Sequence, residues 1–168
     1  MNTFAYCTMP SPLGEILLVA DGDALAGVYF RGQKYERSVG PEWRHDGNVP
    51  VLRAAKQQLG EYFAGTRTVF ELPLAALGTT FQHAVWRAIA QIPCGATATY
   101  TDVAERAGHH GSVRAAGAAT GRNPWSIVVP CHRVVGADGA LTGYAGGLDR
   151  KRALLALEQD PARFTLAA

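Results

Sequence analysis

Across Leu77, Gly78, Thr79 and Thr80 the chain passes from short apolar runs with one helical segment to a stretch of mainly helical spacing, and this break divides it into two differently built parts. Before it, residues 3–8, 15–20 and Ala24–Phe30 are apolar runs set apart by Pro10, Ser11, Pro12 and Gly14 and by Asp21, Gly22 and Asp23. Turn residues between short apolar runs are hairpin punctuation, so a small antiparallel sheet is expected. Arg31 to Pro50 is polar and aperiodic. Val51, Leu52, Ala55, Leu59, Tyr62 and Phe63 then recur at three- and four-residue intervals, which predicts a helix over about 50–64 ended by Gly65. Val69 to Leu74 reads as a short extended piece.

After the break, Phe81, Val85, Trp86, Ile89 and Ile92 share one helical face, with Thr80 as the expected N-cap and Pro93 and Gly95 closing the helix. Thr101 is expected to cap a second helix through Val103, Ala104 and Ala107 that stops at Gly108. Ser112 caps a third that runs to about Gly121. Two short helices around a Gly-containing turn make a helix-turn-helix pattern. The third helix holds Ala115, Ala116, Gly117, Ala118 and Ala119, with Arg114 its charge. Side chains this small suit close packing in a core, the plainer reading, or close approach to something large. A last helix spans roughly Asp149 to Gln159. The fold class is therefore α+β: a small N-terminal antiparallel sheet unit with a helix, residues 1–76, packed on a mostly helical C-terminal unit, residues 77–168.

Bulk properties narrow the class without choosing a function. With 168 residues and 48% apolar composition the chain can bury a substantial core. Residues 1–76 hold seven Lys/Arg and eight Asp/Glu (−1), residues 77–168 nine and six (+3). The C-terminal unit is thus the better place for a phosphate-facing surface, although the imbalance is small. Three cysteines, Cys7, Cys94 and Cys131, form no C-x-x-C pair and argue against a disulfide framework. The N-terminus lacks a basic run followed by an apolar core, and no apolar stretch approaches the ~18 residues that would span a bilayer. A soluble protein of a reducing compartment, cytoplasmic, is expected.

Chemistry concentrates at Pro130, Cys131, His132 and Arg133. A thiol of pKa ~8.5 attacks only as its thiolate and needs a base or a positive charge nearby. His132 can take the proton directly or through a water, and Arg133 favours the anion if it faces the site. Neighbours on an extended segment point to opposite sides, so direct Cys-His contact is not assured. A third group should orient the imidazole, and Glu158 is the best acidic candidate. Alone, Cys131 reads equally well as a buried small residue. Cys7 and Cys94 are read as structural, and His45 and His83 as exposed. His109 and His110 lie in the helix-turn-helix turn.

In order along the chain come Phe81, Gln82, Val85, Trp86; Ile92, Pro93, Gly95, Tyr100; Arg114, Ala115, Gly117; Asn123, Pro124; Pro130 to Val134; Gly143, Tyr144, Gly146, Gly147, Leu148; and Lys151 to Glu158. In these motifs the chain resembles the O6-alkylguanine-DNA alkyltransferases. The resemblance is strong from Thr80 to about Glu158 and weaker over residues 1–76, where the family has a ribonuclease H-like unit.

The resemblance implies single-turnover repair of double-stranded DNA carrying alkylated bases, with O6-alkylguanine, and O4-alkylthymine left open, giving its alkyl group to Cys131. No cofactor and no metal are implied. Cys131, His132, Glu158, Asn123 and Tyr100 are the implied catalytic set, Asn123 tying the recognition helix to the active-site turn. Arg114, Tyr100, Ala115, Ala118 and Ala119 are implied to meet DNA in the minor groove, Arg114 replacing the flipped nucleotide. Val134, Tyr144, Ala145 and Gly146 are implied to form the base pocket, with carbonyls of Cys131 and Val134 reading the guanine amino group. Ala145 stands where some relatives have serine, which leaves the preferred alkyl size open. A monomer is expected, with cooperativity on DNA open. Two rivals remain: a non-catalytic relative that flags alkylated DNA, and a Cys-His hydrolase turning over without DNA.

Overall fold

The computed structural model describes residues 4–160. Thr3, expected to open the first strand, and residues 161–168 of the second unit lie outside the described residues. Strands β1 (Phe4–Met9), β2 (Ile16–Asp21) and β3 (Ala24–Phe30) form the expected antiparallel meander, β1 pairing Phe4 with Asp21 and Met9 with Ile16. A two-residue strand, β4 (Arg44–His45), adds to β1 in parallel, so the sheet order is β3-β2-β1-β4 and the sheet is mixed. The expected antiparallel sheet thus gains one parallel edge strand from the polar stretch after β3, and His45, exposed as expected, lies in it.

Strand β2 is buried on both faces, which calls for cover on each side. Ile16, Leu18 and Ala20 face the main core with helix α1 (Pro50–Phe63). Leu17 and Val19 pack with Tyr29, Phe4, Tyr6, Val39 and Trp43 on the other side. The aperiodic segment after β3 is therefore a covering layer anchored by Val39 and Trp43. Pro50 starts α1 at the position where its missing N–H is harmless, and Gly65, at φ 79°, follows its end.

The helical unit comprises α2 (Thr80–Ala90), strand β5 (Ala98–Thr99), α3 (Tyr100–Arg106), α4 (Val113–Gly121), strand β6 (Val134–Val135) and α5 (Leu148–Gln159). Thr79, not Thr80, caps α2, and Thr99, not Thr101, caps α3. In each case the threonine hydroxyl accepts from the third helical residue's N–H while that residue's side chain, Gln82 or Asp102, accepts from the cap N–H. Ser112 stands at the expected cap of α4 but makes no side-chain cap bond.

Two stitches join the units where the site lies. Val28 N–H donates to Pro124 O and Ser126 N–H to Val28 O, while Trp125 Nε1 donates to Leu25 O. Lys34 N–H donates to Ala145 O. The backbone on either side of the reactive turn is thus pinned to the sheet edge and to the loop after it.

Candidate active site

The segment 125–133 is a chain of tight turns. Val128 N–H closes on Ser126 O around Ile127, a buried β-branched residue at φ 71°, a conformation that costs roughly 1–3 kcal/mol and persists only where surroundings enforce it. Cys131 N–H closes on Val129 O around Pro130 at φ −81°, ψ 65°, the geometry of an inverse γ-turn that proline favours. Cys131–Arg133 is a single 3-10 turn rather than the extended run expected, so the three side chains fan around one axis.

Asn123 sits under this turn. Its Nδ2 donates to Val129 O (2.8 Å), Trp125 O (3.3 Å) and Cys131 Sγ (3.2 Å), and its Oδ1 accepts from Trp125 N–H. A donor aimed at sulfur favours the anion, yet burial dominates and pushes the resting Cys131 thiol up, with Asn123 and Lys151 acting against it. A base must therefore take the proton.

His132 is fully buried, and its Nε2 faces Glu158 Oε2 at 2.6 Å. Its Nδ1 is buried and finds no hydrogen-bond partner among the described residues. Burial, outweighing Glu158, lowers the His132 pKa and leaves the ring neutral at neutral pH. Burial would raise the Glu158 carboxyl, but hydrogen bonds and charge from His132 and Arg133 overturn it and hold it at about 2. A permanent carboxylate at Nε2 fixes the proton there and leaves Nδ1 as the basic atom.

Arg133 does not face the sulfur. Its Nε and Nη2 donate to the two Glu158 oxygens at 2.8 and 2.9 Å, and Nη1 donates to Ile92 O. The condition on which it would favour the thiolate, that it face the site, is not met: it holds the carboxylate instead, because the 3-10 turn rotates it away.

Cys131 lines a cleft of about 720 Å³ with Tyr100, Tyr144, Ala145, Gly143 and the α4 residues Ala115 and Ala118. Tyr100 is brought there because β5 pairs with β6, which directly follows the turn, and its hydroxyl donates to Thr142 O. Arg114, Ala115 and Ala118 are exposed on α4, whereas Ala119 lies 3% exposed with its carbonyl accepting from Trp86 Nε1. Of the base-pocket residues, Tyr144 and Ala145 border the cleft. Val134 and Gly146 are buried outside it, Gly146 so close to the Tyr144 ring that a Cβ would meet it at 2.6 Å.

Two residues at the site carry roles that sequence reasoning did not assign. Lys151, fully buried and lowered by burial to about 8, donates to the carbonyls of Val134, Thr142 and Gly143, clamping the cleft loop. The Val134 carbonyl expected to read the base is thus already shared with this cation. A lysine among the leucines of α5 was the available signal. Tyr62 donates to Glu158 Oε2 at 2.7 Å from α1, 96 residues away.

A buried thiol at a cleft floor, with a neutral imidazole and a fixed carboxylate behind it, can take up an electrophilic carbon. Known proteins share this architecture. The family model described as 6-O-methylguanine DNA methyltransferase, DNA binding domain, matches residues 80–160, and that of its ribonuclease-like domain matches residues 4–76. The methylated-DNA--protein-cysteine methyltransferase of Mycolicibacterium paratuberculosis is 47% identical over 163 residues, 96% of this chain and 97% of the relative. That of Methanosarcina acetivorans is 46% identical over 153 residues, 91% and 97% of the two chains. The crystal structure of Mycobacterium tuberculosis OGT in complex with DNA superposes with a TM-score of 0.86 at 43% identity, covering 94% of each chain. The chain therefore belongs to the 6-O-methylguanine DNA methyltransferase family.

Proposed function

We propose that this protein repairs O6-alkylguanine in double-stranded DNA by moving the alkyl group, once and irreversibly, onto the sulfur of Cys131. The observation that carries the reading is the Cys131 sulfur in the cleft, backed by His132 and Glu158. The thiol proton passes to His132 Nδ1, directly or through water, and Glu158 stabilises the imidazolium. Sulfur attacks the alkyl carbon in line as the C–O6 bond breaks. The electron pair leaves on guanine, which is protonated and restored, and Tyr100 offers its hydroxyl to the base. The thioether has no ready leaving path, so each protein acts once.

DNA is taken up by the helical unit, residues 77–168, which carries the positive balance, with residues 1–76 packed behind it. Helices α3 and α4 act as a helix-turn-helix whose second helix lies in the minor groove, Ala115 and Ala118 allowing close approach. Arg114 fills the gap left by the flipped nucleotide. Asn123 couples α4 to the reactive turn, and the cleft bounded by Tyr144 and Ala145 takes the base, with Val134 and Gly146 shaping its wall from behind. The protein acts as a monomer in the cytoplasm and needs neither cofactor nor metal. Among the described residues no helix is long and apolar enough to cross a membrane.

Stoichiometry tests the reading. With excess duplex DNA containing O6-methylguanine, the wild type should restore one guanine per protein molecule and Cys131→Ser none. Repeated turnover, or no restoration by the wild type, would sink it.

A further inference from the structure

Glu158 Oε2 accepts from three directions: His132 Nε2, Arg133 Nη2 and the Tyr62 hydroxyl. The last comes from α1, in the other half of the chain. The Tyr62 ring is packed against Phe63 and Phe70 and is 2% exposed, surroundings that a phenylalanine would fill equally well. The hydroxyl's hydrogen bond goes to the carboxylate.

We propose that Tyr62 is a positioning residue for the Cys131–His132–Glu158 relay. By donating to the same carboxylate oxygen as His132, it holds Glu158 in place and draws off part of its charge, keeping the imidazole neutral and receptive. The sheet unit thereby sets the basicity of a base that lies in the helical unit. This inference rests on the proposed role of Cys131 as alkyl acceptor.

Burial and the Glu158 charge push the Tyr62 phenol far up, so it donates at every working pH. The other groups facing Glu158 are Arg133 from the 3-10 turn, Cys94 from the turn after α2 and Tyr144 from the loop before α5. His132 is faced by Glu158 and Lys151 from α5 and by its neighbour Arg133. Removing the Tyr62 hydroxyl leaves each of these groups in place, although Arg133 and Cys94 also feel the phenol. A carboxylate that loses a donor carries more charge and holds a proton on its histidine partner more tightly. Without Tyr62, His132 therefore protonates at higher pH, and the acid limb of thiol reactivity moves up.

The test uses the full chain and measures the rate at which iodoacetamide alkylates Cys131 against pH, beside methyl transfer from O6-methylguanine duplex. In Tyr62→Phe the acid midpoint should rise by about 0.5–1 unit, so that at the wild-type midpoint the variant reacts roughly two- to fivefold more slowly. Tyr62→3-fluorotyrosine, a stronger donor of nearly the same shape, should lower the midpoint and serves where Tyr62→Phe does not fold. Phe63→Leu disturbs the same helix without touching Glu158 and should leave the midpoint in place. An unmoved or lowered midpoint in Tyr62→Phe, an unmoved or raised one with the fluorinated ring, or an equal shift in Phe63→Leu overturns the role of Tyr62. Failure of the wild type to accept methyl from DNA, with iodoacetamide profiles behaving as described, would overturn only the reading of the substrate.

Discussion

Glu158→Gln removes one charge from a side chain that is 1% exposed, and the structure sets the size of the effect. Both carboxylate oxygens are met by donors only: Arg133 Nε on Oε1, and Tyr62, His132 and Arg133 Nη2 on Oε2. The glutamine amide must point its NH₂ at one of these sets, so a donor faces a donor whichever way it turns, and Arg133, 6% exposed, loses its counter-charge. Breaking a buried pair from one side costs about 3–5 kcal/mol. Linkage offers an independent figure: a carboxyl held at about 2 against an ordinary 4.5 contributes about 3 kcal/mol. The two agree, and for a chain of this size they correspond to a melting point lower by roughly 6–12 °C at pH 7. Because the folded pKa lies below the unfolded one, this stabilisation is complete above about pH 5 and is lost as pH falls through about 2. Urea unfolding of wild type and variant at pH 7 and pH 3 should therefore show a gap that shrinks to roughly half or less at the lower pH. Methyl transfer at pH 7 should slow by about 10²-fold, the usual worth of a positioned base, while DNA affinity is retained because Glu158 faces away from the cleft. A stability gap of the same size at both pH values would refute the assigned ionisation state.

Other perturbations separate binding from chemistry. Arg114→Ala, on an exposed α4 position, should leave stability within about 0.5 kcal/mol of wild type. It should impair repair in duplex DNA while sparing reaction with a free O6-alkylguanine base, and equal loss on both substrates would contradict its role in the stack. Lys151→Met leaves the Val134, Thr142 and Gly143 carbonyls without their shared donor, at about 3 kcal/mol, and should expose the loop between β6 and α5 to limited proteolysis. A protease-resistant loop in that variant would show that the clamp is dispensable.

The sequence carried the hairpins, the first helix and the reactive turn's location, because apolar spacing and turn residues act locally. It misplaced two caps where threonines compete: Thr79 and Thr80, Thr99 and Thr101. The deciding signal was present three residues downstream, since only Thr79 and Thr99 reach a Gln82 or Asp102 that answers back. Strand β4 has no apolar signature, being two exposed polar residues paired through their backbones. Glu158 was readable as the acid of the last helix. The true partner of Arg133 was not, because it depends on a 3-10 turn forced by Pro130 and a strained Ile127. Tyr62 was legible only as a core position of α1, and its hydroxyl gained meaning when folding set it 2.7 Å from a residue 96 positions away.

Peptide mass spectrometry after incubation with duplex DNA containing O6-methylguanine tests the central claim most directly. One methyl group on the peptide carrying Cys131, with Cys7 and Cys94 unmodified, is the expected result. A methyl group on another residue, or an unmodified Cys131 in protein that binds the DNA tightly, would contradict it.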